Sequence, residues 1–260
     1  MNDIAGPIHH AAAKGYTSKA ETYARGRPDY PPEILDWLRE RLGLEAGKSV
    51  VDLGAGTGKF TRYLARTGAR VIAVEPVRQM REQLAKALPE VEVLEGTATA
   101  IPLPDNSVDA LTCAQSFHWF ATRAALAEIH RVLRPGGRLG LIWNMRDEDV
   151  EWIGRLSEII APYEGDAPRF AKGTWRQVFP FEGLTPLQED HFHHAHTGAP
   201  EDVIINRLRS VSFIAALPPD EEAKVVAKMR ALIDATPALA GKDEISVPYS
   251  TVAYWVEKIA

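Results

Sequence analysis

A single cysteine, Cys113, stands in 260 residues, which excludes an internal disulfide framework and a cysteine-ligated iron–sulfur site. No apolar stretch approaches the ~20 residues of a membrane-spanning helix. The opening Met1-Asn2-Asp3-Ile4 has neither the basic segment nor the apolar run of a secretion leader. A cytoplasmic protein that does not engage a membrane is therefore expected. Basic excess is lacking too: the net charge is −5, and Lys and Arg are dispersed rather than run together. A nucleic-acid-binding stripe is not expected. Internal repeats and low-complexity tracts are also absent. With 45% apolar and 25% charged residues, the chain has the material for one large α/β domain, or one domain with a substantial insertion.

The most informative stretch is Ser49-Val50-Val51-Asp52-Leu53-Gly54-Ala55-Gly56-Thr57-Gly58. An apolar strand ends in a carboxylate and runs into a glycine-rich turn, where backbone can take positive φ and approach a ligand closely. Residues 59–66 then read as a helix whose first amides face the turn. A dinucleotide fingerprint, G-x-G-x-x-G, would place its third glycine where Lys59 stands; here it comes one residue early, at Gly58. Asp52 would also sit badly beneath a pyrophosphate, whereas a ligand carrying an ammonium or sulfonium charge would favour it.

The rest of the first half alternates. Helices are expected at 17–26, 33–42, 59–66, 78–87 and 122–133, and strands at 49–53, 70–74, 91–94, 108–114 and 138–143. Strands separated by helices in this order imply a parallel, doubly wound sheet with right-handed crossovers. Further on, 151–161, 200–210 and 220–235 read as helices, 167–181 is irregular and aromatic, and 184–197 and 245–254 read as strands. The expected organisation is a core at 1–145, insertions at 146–183 and 198–243 forming a cap over the carboxyl edge, and final strands at 184–197 and 244–260. The two late strands bring the sheet to seven.

Three strand ends carry candidate chemistry. Glu75 closes the second strand about twenty residues after Gly54, where a carboxylate accepts both hydroxyls of a ribose; a solvated strand-end acid is the alternative. Gly96-Thr97-Ala98 closes the third, either as a ligand wall or simply a turn. Ala114-Gln115-Ser116-Phe117-His118-Trp119-Phe120 follows the fourth. Ligands of open α/β sheets bind beyond the carboxyl ends near the switch in strand order. His118 is there either a titratable catalytic group or a structural histidine. Trp119 is either core packing or a π face for a cation.

The pattern D-L-G-A-G-T-G at 52–58 resembles motif I of the class I S-adenosylmethionine (SAM) methyltransferases, and Ala73-Val74-Glu75-Pro76 resembles their motif II. Within that family, 23–31, the His118-Trp119-Phe120 loop, Ser210-Val211-Ser212 and 247–251 resemble the subgroup that includes trans-aconitate methyltransferase. The resemblance implies a Rossmann-like methyltransferase fold with SAM as cofactor. It implies cofactor contacts at Tyr23, Arg27, Asp52, Gly54, Ala55, Gly56, Thr57, Glu75, Pro76, Thr97, Ala98, Ala114 and Gln115. Arg27 would form a bidentate pair with the cofactor carboxylate. Thr97 stands where the family usually has an acidic residue, which makes the adenine contact less specific.

A small-molecule acceptor is expected beside His118, Trp119, Trp143 and Trp175, with His118 as the catalytic candidate. A base is needed only if the nucleophile arrives protonated. The oligomeric state, monomer or homodimer, is open. Competing readings are methylation of a macromolecule, a SAM-binding protein without transfer, and an NAD(P) oxidoreductase. His191-Phe192-His193-His194-Ala195-His196 invites a metal reading. On a strand, however, 191 and 193 face away from 194 and 196, and no carboxylate cluster completes a set, so no metal is expected.

Overall fold

The computed structural model describes residues 26–259. The expected helix at 17–26, save its last residue, and Tyr23 lie outside the described residues. Seven strands form one sheet in the order β3-β2-β1-β4-β5-β7-β6. They are β1 (Ser49–Leu53), β2 (Arg70–Val74), β3 (Glu92–Leu94), β4 (Val108–Ala114), β5 (Leu133–Arg146), β6 (Gln188–Gly198) and β7 (Ile245–Glu257). The first five pair in parallel, and β7 runs antiparallel between β5 and β6.

Apolar residues cover both faces of the central strands, as a sheet clad by helices on both sides requires. Val51, Leu53, Ile72 and Val74 join one core with Leu111, Trp143 and Trp175. Val50, Val71 and Ala73 face the opposite core with Ile34, Leu38 and Leu64. Helix α1 (Glu33–Leu42) buries Ile34, Trp37, Leu38 and Leu42, and ends at Gly43 with φ 66°. The Trp37 ring reaches over the sheet, and its indole N–H donates to Asp190 Oδ2 at 2.9 Å.

Helices α2 (Thr61–Ala65), α3 (Arg78–Ala87) and α4 (Arg123–Val132) are the crossovers. Thr122 caps α4 by accepting from the Ala125 amide at 3.1 Å. Helix α2 is shorter than expected because the glycine turn continues to residue 60, with the Gly58 amide bonded back to Ala55 O at 3.0 Å. Strand β5 is longer than expected. The Pro135-Gly136-Gly137 stretch is held by the sheet, with Gly136 donating to Lys258 O at 2.9 Å.

Beyond β5, helices α5 (Glu151–Ile160) and α6 (Pro219–Ala235) and the turns between them build a third apolar cluster. Ile153, Leu156, Ile204, Met229, Val247 and Tyr249 belong to it, so the start of β7 is shared between sheet and helices. The segment expected as one helix at 200–210 is a π-helical turn, Glu201–Asn206, followed by a short α-turn, Arg207–Arg209.

Candidate active site

The glycine turn after β1 has a separate reason at each glycine. Gly54 has φ 70°, and a Cβ there would lie 2.8 Å from Ser116 Cβ. Only a bare backbone lets the loop after β4 close against it, where Ser116 Oγ donates to Leu53 O at 2.9 Å. The early third glycine, Gly58, has φ 86° and packs on α3, where a Cβ would meet Leu84 Cγ at 2.9 Å. At Gly56 a Cβ would meet only Met80 Sδ, at 3.9 Å, so this face of the turn opens into a cavity.

Glu75 stands opposite that opening and is 5% exposed. Its Oε2 accepts from the Gly56 amide at 2.9 Å, and its Oε1 from the Val77 amide at 2.9 Å. Burial pushes its carboxyl above the ordinary range, opposed by those two amides and Arg81. An ionised carboxylate can accept about four hydrogen bonds, so two lone pairs are left for a ligand. Asp52 lies beneath the turn, 1% exposed, and accepts from Thr61 Oγ1 at 2.7 Å and from Thr112 Oγ1 at 3.5 Å. Burial raises its pKa to about 7; the two hydroxyls oppose the shift and the charge of Glu75 adds to it.

These groups line a cavity of about 370 Å³, within the range of cofactor sites. It gathers Arg27, Asp52, Gly54, Ala55, Gly56, Thr57, Glu75, Pro76, Thr97, Ala98, Ala114 and Gln115, along with Trp119. The walls also include Tyr30, Lys59, Met80 and Phe120, which pattern reasoning passed over. The strap at 26–30 forms one side of the cavity. Arg27 Nη2 donates to Ser210 O at 3.1 Å, Lys59 Nζ donates to Arg27 O, and Lys59 pairs with Asp29 at 3.3 Å.

His118 lies in a 3₁₀ turn, Phe117–Trp119, and faces a second cavity of about 100 Å³ with Trp143 and Phe170. Trp143 Nε1 donates to His118 Nδ1 at 3.1 Å. That bond makes Nδ1 the acceptor, so in the neutral ring Nε2 carries the proton. Burial, with the charges of Arg27 and Arg169, lowers the His118 pKa to about 3. The ring is neutral near pH 7 and presents a donor rather than a free lone pair. The two cavities share Arg27, Gln115, Trp119, Asn144 and Arg207 in their walls.

Trp175 does not join the site. It is 1% exposed and lies in the core, its ring 4.8 Å from Trp143 and 5.0 Å from Tyr254. The turns at 170–178 fold their aromatics down onto the sheet, so Trp175 backs Trp143 and lines neither cavity. Asn144, Arg146 and Arg207 were missed. A polar run Asn144-Met145-Arg146 at the carboxyl end of an apolar strand was a usable signal; Arg207, inside a segment of helical pattern, gave none. On β6, His191 and His193 are exposed while His194 and His196 are half-buried. Among the described residues, no three His, Cys, Asp or Glu side chains gather as a metal site.

Comparison with known proteins decides the family. Residues 51–141 match the family described as a methyltransferase domain. An uncharacterized methyltransferase-like protein of Schizosaccharomyces pombe is 39% identical over 246 residues, covering 94% of this chain and 96% of that one. The chain belongs to this methyltransferase family. Among solved structures, a putative type II methyltransferase from Anaeromyxobacter dehalogenans superposes with TM-score 0.67 at 24% identity, covering 89% of this chain and 97% of that one. A phosphoethanolamine N-methyltransferase of Haemonchus contortus, solved with phosphomonomethylethanolamine and S-adenosylhomocysteine, gives TM-score 0.59 at 13% identity over 98% of this chain and 61% of its own. These structural likenesses establish the Rossmann-like methyltransferase fold. No described helix of this methyltransferase is long and apolar enough to cross a membrane.

Proposed function

We propose that this methyltransferase uses SAM in the larger cavity and delivers the methyl group to a small molecule in the smaller one. One observation carries the cofactor choice. The Gly56 amide, where a dinucleotide fold would greet a pyrophosphate, is already bonded to the buried Glu75 carboxylate at 2.9 Å. A second anion there would meet Glu75 and Asp52 across a dry gap. A ribose diol and a cationic sulfonium suit the same two carboxylates.

In this reading Glu75 accepts the ribose hydroxyls, and Asp52 supplies the counter-charge. Pro76, Thr97 and Ala98 flank the adenine, and the turn at 54–57 follows the cofactor backbone. Arg27 holds the amino-acid carboxylate together with Tyr23, which lies outside the described residues. Ala114 lines the cofactor cavity, and Gln115 stands in the walls of both cavities. SAM, when bound, supplies an activated methyl and its own leaving group.

The protein's task is to align the acceptor at about 3 Å and to exclude water. Trp119 stands in both cavity walls, and Trp143 and Phe170 close the smaller one. His118 orients the acceptor through its Nε2–H; the Trp143 bond argues against its service as a base.

The test is calorimetric titration of the intact protein with SAM and, separately, NADH, followed by S-adenosylhomocysteine release across a metabolite panel. SAM binding, no NADH binding and release with at least one metabolite are expected. NADH binding without SAM binding would overturn the cofactor assignment. SAM binding with no release from any acceptor would favour a binding protein.

A further inference from the structure

The smaller cavity holds more positive charge than its own acids answer. Arg146 ends β5 with its side chain 8% exposed; Nη2 donates to Ser157 Oγ at 3.0 Å, while Nη1 is sealed from solvent with no partner. Arg207, at the end of the π-turn, has Nε and Nη1 sealed with no acceptor in hydrogen-bond geometry, and the group that faces it is the neutral hydroxyl of buried Tyr249 rather than a carboxylate. Both line the cavity, with Arg27 and Arg169 beside them.

The nearby acids do not neutralise this pair. Glu148 lies 3.9 Å from Arg146 but is 52% exposed, and its Oε1 accepts from Ser157 at 2.6 Å. Glu164 is engaged by Arg169 at 2.6 Å and Lys172 at 3.1 Å. Burial and the neighbouring guanidinium charges lower both pKa values, that of Arg207 to about 10, against the opposing pull of Tyr249, and a guanidinium keeps its charge at neutral pH.

Buried guanidinium donors without acceptors are costly to a fold, and a π-turn is rare outside functional segments. Here the two coincide, at a cavity with apolar walls of Trp119, Trp143, Phe170 and Phe213. Neutral His118 adds an N–H, and no wall residue but Glu148 brings a carboxylate.

We propose that the acceptor binds through an oxyanion, a carboxylate or phosphate group, held between Arg146 and Arg207, and that the cavity rejects ammonium-bearing acceptors. This rests on the reading of the smaller cavity as the acceptor site. Guanidinium forks bind planar oxyanions bidentately. A cavity built for that charge would discriminate strongly against a neutral isostere, whose binding would leave the donors unpaired.

The test follows tryptophan fluorescence of the full chain, with and without saturating S-adenosylhomocysteine, during titration with benzoate, phenyl phosphate, benzamide and benzylamine. Benzoate or phenyl phosphate is expected to bind, and which of them binds tighter identifies the oxyanion. Benzamide should bind at least tenfold more weakly, and benzylamine not at all. Arg146→Met and Arg207→Met should each weaken the anion at least tenfold, while the melting temperature without anion holds or rises. Arg39→Met, on the exposed side of α1, should leave anion binding unchanged.

Arg207→Lys, which keeps the charge and loses the fork, should give an intermediate loss and carries the test if a Met variant does not fold. Benzamide binding as tightly as benzoate would overturn the proposal. So would Met variants that melt several degrees lower yet bind the anion within twofold of the parent, since those arginines would then be structural. Failure of S-adenosylhomocysteine to bind refutes the cofactor reading instead. Failure of the anions on the S-adenosylhomocysteine-loaded protein refutes this one.

Discussion

Replacing Asp52 by Asn should stabilise the unliganded protein and weaken its hold on a cationic cofactor, and the stability gain should grow with pH. Asp52 is 1% exposed, and burial raises its pKa from 3.8 to about 7. A carboxyl whose folded pKa lies above its unfolded one contributes its full stability below the unfolded value and loses it as pH rises through the folded value. The window for this group therefore runs from about pH 4 to about pH 7.

A shift of roughly three units corresponds to at most about 4 kcal/mol. Relaxation around the charge lowers that, so about 2 kcal/mol is the working expectation. The Asn carbonyl can still accept from Thr61 Oγ1, now at 2.7 Å from Oδ2, so the substitution leaves no hydroxyl stranded. For a chain of this size about 2 kcal/mol corresponds to a rise in Tm on the order of 5 °C. Melting curves of both proteins between pH 5 and pH 8 should show the gain growing toward pH 8. SAM affinity of the parent should rise through pH 7, and that of Asp52→Asn should be lower and flat. A variant that melts lower at pH 8, or a gain that ignores pH, would refute the idea that a buried charge is retained for ligand binding at the expense of stability.

Further substitutions test Glu75 in the larger cavity and His118 in the smaller one. Glu75→Gln turns an acceptor into a donor facing either the Gly56 or the Val77 amide, both now at 2.9 Å from carboxylate oxygens. SAM Kd should rise about 10- to 100-fold, from the loss of one to two charge-assisted hydrogen bonds. Calorimetry returning the parent Kd would remove Glu75 from the cofactor site. For His118, a pKa lowered to about 3 keeps the ring neutral across the assay range, so its titration should leave no inflection in kcat near pH 6.5. His118→Gln, which keeps an N–H donor, should retain several-fold more activity than His118→Ala. An inflection near pH 6.5 that disappears in His118→Gln would restore the histidine as a base.

The parallel half of the fold was legible because its strands are continuous apolar runs stopped by Gly and Pro, and its helices repeat every three to four residues. Strands β1, β2 and β4 and helices α1 and α3 lie at their expected bounds. The boundaries that moved depend on long-range partners. Strand β5 begins early because the β7 end bonds its glycines, and α2 begins late because the glycine turn claims its first residues. The π-turn at 201–206 was read as ordinary helix, since its apolar pattern is helical while its backbone bonding is not.

Sequence alone determined where the larger cavity of this methyltransferase would form. Asp52, the glycines and Glu75 sit at strand ends, and the crossover rule brings consecutive strand ends to one edge of the sheet. The smaller cavity was decided only by tertiary structure. Trp143 and Trp175 are both buried aromatics, yet only Trp143 reaches a cavity, because the 170–178 turns press Trp175 behind it. Arg146 and Arg207 are 61 residues apart in sequence and meet only in the wall of one chamber. No local pattern encodes a charge left without an acceptor. That property exists only once the chain has surrounded it.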